Sequence, residues 1–181
     1  MKTKVGVMGS AEEAASVDVH DTARALGRAI AERHVILLTG ATTGVIQLVG
    51  KTAREAGTFH LGISPAANQA EHLEHYRLPI DACDALVYTG FGLKGRNVVL
   101  VRSCDIVLFV AGSIGSLNEF TIAYDEGKVI GCLIGSGGVA DEAKRLLDTF
   151  QKRTRAQIVY AADPERLLAD CLEIYEATVG G

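Results

Sequence analysis

Seven short runs dominated by aliphatic and β-branched residues recur along the chain: KVGVMG, HVILLTG, FHLGIS, DALVYTG, DIVLFVAG, KVIGCLIG and AQIVYA. Most end in glycine or a small polar residue, and segments with helical spacing lie between most of them. Runs that are apolar on nearly every residue, rather than on alternate ones, fit strands covered on both faces. Alternation of such strands with helices predicts an α/β architecture: a Rossmann-like, doubly wound, mostly parallel sheet with helices on both faces.

The intervening segments support that reading. DTARALGRAIAERH sets Ala23, Leu26, Ala29 and Ile30 at helical intervals, opposite Arg24, Arg28 and Glu32. DPERLLADCLEIYEA begins with Asp163 as the expected N-cap and Pro164 in the first turn, and Leu167, Leu168, Cys171, Leu172 and Tyr175 make its apolar stripe. No linker, composition shift or repeat divides the 181 residues, so a single domain spanning 1–181 is expected.

Lys+Arg 18 against Asp+Glu 22 gives a formal net charge of -4. That balance, with no basic stripe interleaved with aromatics, disfavours a nucleic-acid partner. The four cysteines are scattered with no C-x-x-C, and Cys104 and Cys132 read as buried reduced thiols. The N-terminal apolar run is too short for a secretory leader, and no run approaches the roughly 18 residues of a membrane span. A cytoplasmic protein with no membrane partner is expected. Among the histidines, His72 and His75 lie in a polar stretch with Glu71 and Glu74 and read as solvent-facing, and no metal site is expected.

In doubly wound sheets, ligands collect beyond the carboxyl ends of the strands, where strand order reverses. The turns after the strands are therefore the places to search: Gly9-Ser10, Gly40 to Gly44, Gly90 to Gly92, Gly112 to Ser116 and Gly135 to Gly138. GVIQLVGKT imitates a Walker A loop but has five residues between its glycines, and those residues read as helix. No G-x-G-x-x-G follows the first strand. In TGATTGV, Gly40 and Gly44 allow close backbone approach, and Thr42 and Thr43 offer hydroxyls beside a helix start; an ordinary βα turn uses the same residue types.

GFGLKGRNVVLVRSCD brings Lys94, Arg96 and Arg102 to a glycine-rich turn, and Arg96 with Asn97 reads as the opening of an apolar helix. A guanidinium there can grip a phosphate or carboxylate through two hydrogen bonds, or can simply be solvated. AGSIGSLNE sets Gly112, Ser113, Gly115 and Ser116 at a helix N-terminus, which favours an anion. Its S-x-x-E, Ser116 to Glu119, also spells a capping box, so Glu119 either closes its helix or faces a ligand.

The order of these motifs resembles the LOG family, which includes cytokinin riboside 5′-monophosphate phosphoribohydrolases and belongs to a wider Rossmann-like group with molybdenum-cofactor carrier proteins, and GRNVVLVRS looks close to that carrier-like branch. The resemblance covers the first strand through GKVIGCLIG. It implies that Arg96, nine positions before Asp105, and Glu119 stand at the family's catalytic arginine and glutamate. It further implies that Gly112, Gly115 and Ser116 stand in the phosphate loop, with Gly40 and Gly44 in the earlier glycine turn. Two functions follow from it. One is hydrolysis of the N-glycosidic bond of a nucleoside 5′-monophosphate, with Glu119 stabilising an oxocarbenium-like transition state. The other is a non-catalytic carrier of a phosphorylated small molecule, a nucleotide or a molybdenum cofactor. Neither requires a resident cofactor beyond a bound nucleotide or phosphate, and a homodimer is implied. The chain departs from the family pattern: Ala111-Gly112-Ser113 replaces Pro-Gly-Gly, Ser116 replaces Thr, Asn97 replaces Lys, and Ala41 and Thr42 stand where glycine is usual. The added Cβ atoms at Ala41 and Ser113 would narrow the phosphate loop or forbid a left-handed backbone there.

Overall fold

The computed structural model describes residues 1–10 and 17–180. All seven apolar runs form strands: β1 (Lys4–Gly9), β2 (Ile36–Thr39), β3 (His60–Ser64), β4 (Ala85–Tyr88), β5 (Ile106–Val110), β6 (Val129–Leu133) and β7 (Gln157–Ala161). They pair in one sheet of order β4-β3-β2-β1-β5-β6-β7, and every neighbouring pair is parallel. The expected sheet was mostly parallel; the observed one is wholly so.

Among the described residues six α-helices cover it: α1 (Val17–Ala31), α2 (Val45–Glu55), α3 (Gly92–Ser103), α4 (Ile114–Asp125), α5 (Gly138–Thr149) and α6 (Pro164–Val179). Val5 and Val7 pack on α1, α2 and α6, whereas Met8 packs on α3, α4 and α5. Because successive strand residues point to opposite faces, a run apolar throughout serves both layers. β5 shows this fully: all five residues are buried, with Ile106, Leu108 and Val110 facing one layer and Val107 and Phe109 the other.

Asp163 accepts a hydrogen bond from the Arg166 amide at 2.7 Å, the expected cap of α6. The Walker-like segment lies in α2, so its amides serve the helix. Cys104 and Cys132 are buried free thiols. Two expectations fail. α3 begins at Gly92, so Arg96 stands a full turn inside the helix instead of opening it. His72 is fully buried in a π-helical turn (Glu71–His75), where Ser64 Oγ lies 2.8 Å from Nδ1 and the Pro79 carbonyl 3.2 Å from Nε2; His75 is exposed as expected. Charge in the surrounding sequence suggested solvent, but two protein partners for one imidazole let it be buried.

The strand order reverses between β1 and β5. That places Gly9, at the end of β1, beside Val110, at the end of β5, where a Cβ on Gly9 would sit 2.2 Å from the Val110 carbonyl oxygen.

Candidate functional site

A cleft of about 140 Å³ opens at that reversal, floored by β1 and walled by α3 and α4. Of the twelve residues singled out by sequence, Gly9, Gly40, Thr42, Arg96, Ser113, Gly115, Ser116 and Glu119 line it. Ser10, Thr43, Gly44 and Gly112 do not; Ser10, Gly44 and Gly112 act on its frame instead. The Ser10 carbonyl accepts from the Val45 amide at 3.2 Å, joining β1 to the start of α2. Gly44 (φ 72) is the residue preceding that helix. Gly112 (φ 109) turns the chain out of β5, and its carbonyl, like that of Ala111, accepts an amide from the first turn of α5.

Ser116, Glu119, Phe120 and Ala123 form the buried stripe of α4. Phe120 anchors that stripe on β5 by an edge-to-face contact with Phe109, ring centroids 5.4 Å apart. Glu119, one residue earlier, is thereby turned into the cleft. From the opposite wall, Arg96 Nη1 donates to Glu119 Oε1 at 3.1 Å. Both side chains are more than nine-tenths buried. Burial pushes the Glu119 carboxyl above its ordinary range, against the pull of Arg96 and Lys94. Burial likewise lowers the Arg96 guanidinium, against the support of Glu119.

The capping box does not form. Ser116 Oγ donates to the Gly9 carbonyl at 3.0 Å, Glu119 is committed to Arg96, and Ser113 precedes the helix without a side-chain cap bond. The S-x-x-E spacing suits both uses; the neighbouring strand and helix selected the second. The first-turn amides of α4 have no acceptor within the helix and that turn holds no acidic residue, while Gly115 and Ser116 of the same turn line the cleft.

Two observations show room made for the guanidinium and a donor left over. A Cβ on Gly40 would fall 2.4 Å from Arg96 Nη1 and 2.6 Å from Cζ, so only glycine lets the guanidinium lie against that turn. Arg96 Nε is buried with no hydrogen-bond partner among the described residues. A buried unpaired donor costs about 1–3 kcal/mol, so an acceptor entering the cleft regains that energy. Next door, Asn97 donates to Asn118 at 2.8 Å, linking α3 to α4. The non-glycine positions resolve differently. Ala41 adopts the left-handed backbone (φ 50), as does Ala111 (φ 55), while Ser113 is extended (φ -112) and carries no such strain.

A family model matches residues 2–168, from β1 into α6. The chain belongs to the SLOG cluster4 family. An uncharacterized protein of Archaeoglobus fulgidus is 30% identical over 146 residues, which is 81% of this chain and 88% of that protein. The molybdenum cofactor binding protein of Rippkaea orientalis superposes with a TM-score of 0.75 at 28% identity, covering 99% of this SLOG chain and 98% of that one. The molybdenum cofactor carrier protein of Chlamydomonas reinhardtii gives 0.76 at 27%, covering 98% and 99%. The expected LOG-type fold near the carrier branch is therefore correct. DNA processing protein A of Streptococcus pneumoniae, at 18% identity and TM-score 0.68 over 93% of this chain and 62% of its own, shares the fold alone. Among the described residues, no helix is long and apolar enough to cross a membrane.

Sequence reasoning missed the apolar part of the wall, from Met8, Ile46 and Leu93. It also missed His60, whose ring is fully buried behind the Gly40 turn. Its one sequence signal is a glycine inside the amphipathic helix α2: a Cβ on Gly50 would meet the His60 ring at 2.3 Å.

Proposed function

We propose that this SLOG protein is a binding module for a small molecule carrying a phosphate, either a nucleotide or a pterin-type molybdenum cofactor. The observation that carries the reading is the Arg96 guanidinium: buried, partly neutralised by Glu119, with Nε–H lacking an acceptor among the described residues, in a cleft lined by the N-terminal turn of α4. A phosphate oxygen supplies that acceptor, and first-turn amides with the dipole hold the remaining oxygens. Gly115 and Ser116 bring backbone to the cleft, Ser113 and Thr42 add hydroxyls, and Lys94 adds a cation at the mouth. At about 140 Å³ the cleft suits the phosphate end, leaving a base or pterin at the open mouth. Likeness to the two molybdenum-cofactor proteins over nearly their whole length supports a carrier. The net charge of -4 favours a small molecule over a nucleic acid, and we take the protein to be cytoplasmic, as the sequence suggests, and homodimeric, as the resemblance implies.

A second reading is favoured by Glu119 itself. A carboxylate lining a phosphate cleft is placed to stabilise positive charge on a ribose ring, so N-glycosidic hydrolysis of a nucleoside 5′-monophosphate is the catalytic alternative, with Arg96 orienting the sugar phosphate. One experiment separates the two. The purified protein is titrated calorimetrically with nucleoside 5′-monophosphates and with molybdenum cofactor, and free base is quantified in the same samples. Saturable binding without base release, lost in Arg96→Ala, is the expected outcome. Base release that vanishes in Glu119→Gln moves the assignment to a phosphoribohydrolase. Absence of binding by every ligand rejects both.

A further inference from the structure

Ala41 holds a left-handed backbone that an alanine adopts only when its surroundings impose it. Its amide donates to Thr39 Oγ1 at 3.2 Å. Thr39 Oγ1 in turn lies 2.8 Å from His60 Nε2, and His60 Nδ1 lies 2.5 Å from the Ala82 carbonyl. A carbonyl can only accept, so Nδ1 carries the proton and Nε2 accepts from the Thr39 hydroxyl. That leaves the hydroxyl oxygen free to receive the Ala41 amide, and each proton in the chain has one place. Gly40, beside Ala41, is the shelf against which the Arg96 guanidinium rests.

We propose that His60 is a positioning residue for the cleft: acting through Thr39, it fixes the left-handed Ala41 turn and with it the glycine shelf that places Arg96. The inference rests on the reading of that cleft as a ligand site. Two features set His60 apart from an ordinary buried histidine. α2 carries Gly50 in its interior where the ring lies, although a mid-helix glycine weakens a helix. His72 makes a similar link one strand further out, between Ser64, whose Oγ accepts the Ala66 amide, and the Pro79 carbonyl. Both imidazoles thus tether strand-end hydroxyls to the 79–82 segment, but only His60 acts on the turn that meets Arg96.

Only a neutral ring can play this part, because a protonated Nε2 would present a donor to a hydroxyl whose own proton then has no acceptor. The charged and titratable groups around the ring are few. α2 contributes Arg54, whose Nε donates to Asp84, and the turn before β4 contributes Cys83 and Asp84, with Asp84 accepting the His60 amide. β2 contributes only the Thr39 hydroxyl. Burial disfavours the charged ring more strongly than Asp84 supports it.

The test uses the full-length, isotope-labelled protein, with Ala41 amide exchange and the Arg96 Nε–H resonance followed by NMR as pH is stepped down from above 6.5 through the titration of the His60 ring, which burial moves below that value. Inorganic phosphate and adenosine 5′-monophosphate serve as binding probes. Thr39→Val, which keeps the side-chain shape and removes the hydroxyl, should speed Ala41 exchange about tenfold, the worth of one hydrogen bond. It should also weaken phosphate binding, and Thr39→Ser should restore both. In the unmodified protein the Arg96 resonance should move with the titration of the His60 ring. His60→Gln tests the same link from the other side, and Thr39→Val decides if that variant does not fold. Unchanged Ala41 exchange in Thr39→Val, or an Arg96 resonance indifferent to the His60 titration, overturns the proposal. If neither probe binds the unmodified protein, the ligand-site reading fails by itself, and the exchange and resonance data still decide whether His60 positions the turn.

Discussion

Arg96 on α3 and Glu119 on α4 meet through a single 3.1 Å hydrogen bond, with side-chain exposures of 6% and 9%. Two ions so far from water stay there only because each neutralises the other, and each alone would be an uncompensated buried charge. Their contact joins the two helices that wall the cleft.

Breaking that pair from one side should be costly. Glu119→Leu leaves the guanidinium unpaired and is expected to lower unfolding stability by about 3–5 kcal/mol. Adding Arg96→Met should recover most of the loss, because a well-packed apolar pair of similar volume is often neutral. Urea unfolding of both single variants and the double checks the cycle, and strict additivity would contradict the coupling.

Gly40→Ala tests the shelf. The added methyl would lie 2.4 Å from Arg96 Nη1, so the guanidinium must move out of place. Overpacking of this kind costs about 1–3 kcal/mol. A larger relative effect is expected on ligand affinity than on folding, read by calorimetry and thermal unfolding of the same sample.

The pH dependence of stability should carry the mark of His60. Burial lowers its folded pKa below the ordinary value of 6.5, so as pH falls the unfolded chain takes up this proton first. The contribution is therefore complete above 6.5 and is lost as pH drops from there through the lower folded value, at a slope of up to about 1.4 kcal/mol per pH unit. Urea unfolding at several pH values, comparing the unmodified protein with His60→Gln, should show a flatter curve for the variant over that window.

Away from the cleft, Asp163→Ala removes the acceptor of the Arg166 amide at the start of α6. A loss of about 1 kcal/mol is expected in denaturant unfolding, with phosphate binding unchanged.

Much of this molecule was legible in the chain. DIVLFV reads as a two-faced strand because all its residues are apolar, and it is one. Asp163-Pro164 reads as a helix start because cap chemistry is local to four residues. The turns at Gly40 and Gly112 were found by residue type, and eight of the twelve singled-out residues meet in one cleft. Ser116-Leu117-Asn118-Glu119 was misleading for a physical reason. Its local option, a capping box, competed with partners 107 and 23 residues away, Gly9 and Arg96, which no local pattern encodes. His72 misled in the same way, since its acceptor and donor come from the backbone of Pro79 and the hydroxyl of Ser64.

By itself, then, the sequence determined the alternation of buried strands and amphipathic helices, and hence the layered sheet with glycine turns along one edge. Those follow from periodicity and turn chemistry, which act within a few residues. Tertiary structure alone decided that β1 lies beside β5, that Arg96 spends one nitrogen on Glu119 and keeps another unpaired, and that His60 stands behind the Ala41 turn. Each of these depends on burial and on which distant group supplies the missing hydrogen bond, quantities that exist only once the chain has packed.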